Sequence, residues 1–257
     1  MDDNAFVANL RIWLSGHPPR KIISDKRCAT AALLRPSAPS QVGSYELLFL
    51  KRATNEKDPW SGDIAFPGGK REPFDEDDRA TAVRETYEET GIDLRDESRW
   101  EYVGQMRDIL GHRTRPFVLC CFVFVCKDKS SIEVALNPSE MADYRWVPLS
   151  WLVSRPVRAA PLNQRWIFQS SVWYVIYATL GVDKVYIPEV VLDPSHSGYV
   201  LWGLTLRSVS MLLHRGGRQR LDIPPFIVRD SVVLHYIHEK PFALYQRWCK
   251  GLHHAKL

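Results

Sequence analysis

Residues 69–92 read GKREPFDEDDRATAVRETYEETGI, a crowd of acids laid on a helical pattern between two glycines. At about 100° per residue the pattern predicts a helix over 75–90. Ala80, Val83, Tyr87 and Thr90 fall on its inward side, while Glu85, Glu89 and Asp78 fall opposite with Glu88 beside them. Asp75 and Asp78 have N-cap and N3 spacing, and acids there suit the positive end of the helix dipole. Glu88 and Glu89 do not fit so simply. They stand in the last turn, ahead of the predicted C′ residue Gly91, where the dipole disfavours negative charge and neighbouring carboxylates repel. No lysine occupies a pairing position, and Arg84 precedes Glu88 in the less favourable order for an ion pair. A solvated charged face would leave this repulsion standing, so a cation is expected. Hard dications bind one or two carboxylates and complete their shell with water and phosphate oxygens, which points to metal-assisted phosphate chemistry. Just upstream, Pro67-Gly68-Gly69 reads as a tight turn whose glycines let a phosphate or metal approach the main chain.

The same stretch resembles the Nudix box, G-x5-E-x7-R-E-U-x-E-E-x-G-U, in which U is a bulky aliphatic residue. Arg84, Glu85, Glu88, Glu89, Gly91 and Ile92 stand in register with it. Two departures stand out. With Glu76 at its proper distance from Arg84, the loop from Gly69 carries one extra residue, and Thr86 occupies a U position.

The resemblance implies an α/β/α sandwich on a mixed sheet, with the box as loop, helix and loop. It implies a catalytic set of Arg84, Glu85, Glu88 and Glu89, with magnesium or manganese held by the three glutamates and the Gly69 carbonyl. Arg84 would orient the glutamates, and the metals would neutralise a diphosphate and activate the attacking water. Glu140, in a loop after the predicted strands, resembles the outlying glutamate that some Nudix enzymes use as general base. Arg52, Arg113 and Arg115 are candidate phosphate clamps, because guanidinium pairs bidentately with phosphate oxygens.

Less sharply, residues 47–52, 59–62, 137–140 and 146–149 resemble segments of Nudix enzymes that hydrolyse coenzyme A. The implied substrate is coenzyme A or an acyl-CoA, cut to 3′,5′-ADP and a phosphopantetheine product. Ala53-Thr54 and Asp58-Pro59-Trp60-Ser61 depart from that signature. Other nucleoside diphosphate derivatives stay open: NADH, ADP-ribose, a dinucleoside polyphosphate or an RNA 5′ end. So does a Nudix-fold scaffold that has lost catalysis, although all the box glutamates are present. Nine tryptophans offer base-stacking surfaces, but no aromatic and basic interleaving marks an RNA track.

Outward from the box, strands are expected at 28–34, 45–50, 63–66, 102–107, 117–126 and 144–147, with a loop at 58–62 and a short helix after Pro148-Leu149. Phe6, Leu10, Trp13 and Leu14 predict an N-terminal helix over 5–14, stopped by Gly16 and Pro18-Pro19. Later helices are expected at 199–213 and 241–252. The reading divides the chain into an N-terminal helical segment (1–24), a Nudix domain (25–155) and an ordered extension (156–257) packing on it.

The chain's 257 residues and 45% hydrophobic content allow a sizeable core. A net charge of +4, with scattered bases, mildly favours anionic ligands and gives no dedicated nucleic-acid surface. Five cysteines without a C-x-x-C pair suggest neither a disulfide framework nor a thiolate zinc site. The acidic start at Asp2-Asp3 lacks the features of a signal peptide, and no apolar run is long enough for a membrane span. Ala255-Lys256-Leu257 resembles the S-K-L address read by the peroxisomal import receptor. The expected location is therefore the peroxisome or a relative such as the glycosome, or otherwise the cytoplasm.

Overall fold

Strand β7, Phe117–Cys126, is apolar along its whole length and buried on both faces, the pattern of a central strand covered on two sides. A computed structural model of the protein describes residues 3–19, 21–37, 44–56, 58, 60–111, 117–127, 132–161, 185–193, 198–218, 221 and 227–228. Arg113, Arg115, the helix expected at 241–252 and the Ala255-Lys256-Leu257 ending lie outside these residues.

Two compact units are present, residues 1–158 with 188–224, and residues 159–187 with 225–257. In the first, helix α1 (Asp3–Gly16) precedes β1 (Arg27–Pro36), β2 (Tyr45–Arg52), β3 (Ile64–Ala65) and β4 (Gly68–Lys70). Helix α2 (Asp78–Thr90) leads to β5 (Trp100–Gln105), β6 (Ile109–Gly111), β7, β8 (Met141–Pro148) and α3 (Leu149–Ser154). The strands form one sheet ordered β3-β2-β1-β7-β5, with β4 on β1, β6 on β7 and β8 on β2. The β1–β7 pairing is parallel, with Thr30 beside Cys121, while β1 meets β2 and β4 antiparallel, so the sheet is mixed.

Side chains alternate across a strand, and here that alternation separates two cores. Ala32, Leu34, Leu47, Phe49, Cys121, Val123 and Val125 join α1 and α3 through Phe6, Leu10, Leu14, Leu149 and Leu152. Their strand neighbours Ala31, Leu33, Leu48, Leu50, Cys120, Phe122 and Phe124 join Ala82 of α2 and Ile92. Helices therefore cover both faces, giving the α/β/α sandwich. After β9 (Arg158–Pro161) and β10 (Val185–Val191), β11 (Val200–Trp202) runs into helix α4 (Gly203–Arg215). Leu206, Val209, Leu212 and Leu213 of α4 enter the same core as α1. In the second unit, Val185 and Tyr186 pair antiparallel with Val228 and Ile227 of β12 (Ile227–Val228).

Several local expectations are corrected. The expected Pro67-Gly68-Gly69 turn enters β4, where Gly68 and Gly69 pair with Thr30 and Ala29. Helix α2 starts at Asp78 with Asp77 as N-cap, not at Asp75, which turns back to bond Arg84 instead. Its buried side is Thr81, Ala82, Thr86, Glu89 and Thr90, whereas Tyr87, expected inward, is 50% exposed. The reason is polar satisfaction: the Thr86 and Thr90 hydroxyls donate to the carbonyls of Ala82 and Thr86 at 2.7 and 2.6 Å. Among the described residues no helix is long and apolar enough to cross a membrane.

Candidate active site

The approach to α2 and its first turn are electrostatically satisfied. Asp77 accepts from the Ala80 N–H at 2.7 Å, the N-cap bond that closes a free helical donor. Asp75 accepts from the Glu72 N–H and the Thr81 hydroxyl, each at 2.9 Å, and from Arg84 Nε and Nη2 at 2.9 and 3.0 Å. The Arg84 bonds outweigh burial and hold the Asp75 carboxyl at about 2. Burial alone would raise Asp78, but Arg27, bonded at 2.9 and 3.0 Å, brings it below the usual carboxylate range. Arg27 also reaches the buried Asp108 at 3.0 Å, tying the helix start to the sheet.

The second half is different. The Glu89 side chain enters the interior and is only 2% exposed, accepting from the Gly68 N–H at 2.9 Å. Burial pushes its carboxyl up to about 8, opposed by the Gly68 bond and Arg52, and reinforced by Glu85 and Glu140. Glu85 is raised as well, mainly by burial and further by Glu88 and Glu140, against the pull of Arg84. Two neighbouring carboxylates thus resist ionisation in their present surroundings.

The glycines explain how the carboxylates get so close to the main chain. Gly68 has φ 149°, where L side chains are strained, and a Cβ there would strike the Ala29 carbonyl. At Gly69 a Cβ would stand 2.5 Å from Glu85 Cδ and 2.6 Å from both of its oxygens. Any side chain at residue 69 would therefore displace the Glu85 carboxylate.

Other expected site residues take distinct places. Glu88 is turned away to Arg84 Nη1 at 2.8 Å, its side chain 49% exposed, so the ion pair disfavoured by residue order does form. Arg84 Nη1 also lies 3.0 Å from Glu85, and its Nη2 donates to the Lys70 carbonyl at 3.2 Å. Asp78, expected alongside Glu85 and Glu89, instead belongs to the Arg27 pair.

The loop bearing Glu140 is stitched to the end of α2. Ala135 and Asn137 donate their N–H groups to the carbonyls of Thr90 and Glu89 at 2.9 and 3.1 Å. The Glu140 carbonyl accepts from the Ala53 N–H at 2.7 Å, and Asn137 Nδ2 donates to Glu140 Oε1 at 3.3 Å. Arg52, expected to be a phosphate clamp, lies close enough to Glu89 to favour its charged form. Its Nε and Nη2 donate to Asp58 Oδ2 at 2.9 and 2.7 Å.

Sequence reasoning passed over Asp58, Arg27 and Cys28. Cys28 faces Lys70 across the β1–β4 ladder, its thiol raised by burial and then by Glu85. Only the strand register reveals that neighbour. For Asp58 the six-residue step from Arg52 was a readable signal; for Arg27 there was none, since its partners are distant in the chain.

Among the described residues, no three His, Cys, Asp or Glu side chains converge as a ready metal cage. Two carboxylates beside the side-chain-free Gly68–Gly69 main chain nevertheless fit a hard divalent cation, which keeps several positions for water and phosphate.

The chain belongs to the NUDIX domain family, whose description matches residues 29–169. An uncharacterised protein of Schizosaccharomyces pombe is 37% identical over 60% of this chain and 49% of its own length. The mitochondrial coenzyme A diphosphatase of Homo sapiens is 42% identical over 29% of this chain and 31% of its own. The peroxisomal coenzyme A diphosphatase of Mus musculus is 47% identical over 20% of this chain and 21% of its own. The chain thus spans about half the length of the first relative and less of the other two. A Caenorhabditis elegans Ap4A hydrolase structure superposes with TM-score 0.39 and 18% identity, over 49% of this chain and 82% of that one.

Proposed function

We propose that the protein is a pyrophosphohydrolase that uses magnesium or manganese to cut the diphosphate link of a nucleoside diphosphate derivative, with coenzyme A or an acyl-CoA as leading substrate. One observation carries the chemistry. Glu85 and Glu89 are gathered beneath the Gly68 and Gly69 backbone with both carboxyls raised, an arrangement that costs free energy until a cation shares it. Family membership supports the same reading. The coenzyme A choice draws support from the names of two relatives matched over short stretches.

In this reading Glu85, Glu89 and the Gly69 carbonyl would hold the cation, and Glu88 would help through the Arg84 network that it shares with Glu85. When bound, a divalent cation supplies Lewis-acid polarisation of the phosphoryl oxygens. Arg52, paired with Asp58 and near enough to Glu89 to favour its charge, would bind the diphosphate; Arg113 and Arg115 are proposed as further clamps. Glu140 would take the proton from a water attacking one phosphorus. That water oxygen bonds to phosphorus as the P–O–P bridge breaks, and the other phosphate leaves with the bridging oxygen.

The test is incubation of purified protein and magnesium with coenzyme A, acyl-CoA, NADH, ADP-ribose, a dinucleoside polyphosphate and triphosphorylated RNA, with products identified by mass. Coenzyme A or acyl-CoA should turn over best, giving 3′,5′-ADP. Preferred turnover of NADH or RNA would remove the substrate assignment. No turnover of any compound, with nucleotide binding intact, would replace the enzyme by a scaffold.

A further inference from the structure

Six of the nine tryptophans are described, and they are not alike. Trp100 is buried, and Trp13, Trp146, Trp151 and Trp202 are half-buried. Trp60 is 42% exposed. An indole left open to water forgoes the burial that usually stabilises it, so the way it is held is informative.

Asp58 organises the loop beneath it. One carboxylate oxygen accepts from Arg52, and the other accepts from the Trp60 N–H at 3.0 Å. The Ser61 N–H donates to the Asp58 carbonyl at 3.0 Å, the Asp63 N–H donates to the Trp60 carbonyl at 3.1 Å, and the Ser61 hydroxyl accepts from the Asn55 N–H at 2.8 Å. The Trp202 indole donates to Asp63 at 2.9 Å, a partner of the kind that the indole N–H of Trp60, unlike its backbone N–H, lacks among the described residues. The Trp60 ring meets Phe117 edge to face, with centroids 6.4 Å apart. Asp58, Trp60, Ser61 and Asp63 are therefore tied by hydrogen bonds while much of the indole stays uncovered, and the Asp58 carboxylate joins them to Arg52 and so to the Glu89 surroundings.

From this we propose that Trp60 is the residue on which the substrate's nucleobase stacks, a specificity determinant next to the phosphate-binding arginine. The proposal rests on the nucleotide-hydrolase reading above. A diphosphate near Arg52 and Glu89 carries an aromatic base on one arm, and an open indole whose main chain is held by the same carboxylate as Arg52 offers that base a π surface. Asp58 serves both halves of such a ligand by holding the arginine side chain and the Trp60 main chain in one frame.

Calorimetry on the full chain with magnesium tests this, using 3′,5′-ADP as the probe with a base and inorganic diphosphate as the probe without one. Trp60→Ala should weaken 3′,5′-ADP binding about tenfold, the scale of one lost base stack, and leave diphosphate binding unchanged. Trp60→Phe, which keeps an aromatic face, should restore affinity to within about threefold. If Trp60→Ala binds 3′,5′-ADP as the parent does, weakens both probes equally, or the parent does not bind 3′,5′-ADP, the proposal is overturned. Selective loss of 3′,5′-ADP without any coenzyme A turnover would refute the coenzyme A assignment and leave the stacking role standing.

Discussion

The approach to α2 with its first turn, and the second half of the helix, carry the same kind of side chain and reach opposite electrostatic states. Asp75 and Asp78 are matched by Arg84 and Arg27 and lie below the usual carboxylate range, Asp75 at about 2. Glu89, buried, and Glu85, half-buried, lack an equivalent match and lie above it, Glu89 at about 8. Counting acids does not distinguish these halves; asking which are paid by a neighbouring base does. That contrast, ion pairs at one end of the helix and unmatched carboxyls at the other, is what supports the second end as the proposed ligand site.

Glu89→Gln gives the sharpest test of that contrast. It should cost orders of magnitude in kcat while metal-free stability at pH 8 rises or holds, because it removes a buried charge and keeps the volume. Chemical unfolding beside steady-state kinetics checks both, and a variant that is active or plainly less stable breaks the comparison.

Next in size is a pH effect on the metal-free protein. Glu89 has a folded pKa of about 8, above its ordinary 4.5, so the folded state binds more protons between these values. The stability penalty is absent below 4.5, grows as pH rises to 8 and is full above it. The stability difference between Glu89→Gln and its parent should widen over that interval, and added magnesium should narrow it; thermal melts at pH 5 and 8 measure this.

Asp75→Asn probes the satisfied half. It should destabilise the fold by about 2 kcal/mol at neutral pH, the worth of a carboxyl lowered to about 2. The contribution is complete above about 3.8 and lost as pH falls to about 2, so urea unfolding of parent and variant should converge in acid.

The smallest effect is expected at Thr86→Val, which removes a buried hydroxyl together with its bond to the Ala82 carbonyl. A stability change within about 1 kcal/mol by urea unfolding is expected. A larger loss would show that the threonine is required rather than tolerated.

These halves also mark the limits of reading the chain. Period and spacing made α1, most strands and the acidic helix legible, because apolar repeats report which side is buried. Inward Glu89 was not legible: burying a carboxylate contradicts the hydrophobic pattern, and the Gly68 N–H that receives it belongs to a strand read as a turn. Arg84 misled in the opposite direction. Helix rules judged its pairing with Glu88 unfavourable, but Arg84 is anchored by Asp75 from outside the helix, which changes the geometry. Strand pairing across long separations likewise hid Cys28 and Arg27.

The parallel β1–β7 pairing has a consequence for assembly. Its partners, such as Thr30 and Cys121, enclose the entire acidic helix in the intervening chain, so the closure entropy of a long loop must be met before the central ladder forms. The Gly68 N–H that donates to Glu89 lies on β4, which pairs with β1 of that ladder, and we expect the carboxyl to enter the interior after the ladder forms. The cost of dehydrating its carboxylate therefore falls late in folding, where it should speed unfolding more than it slows collapse.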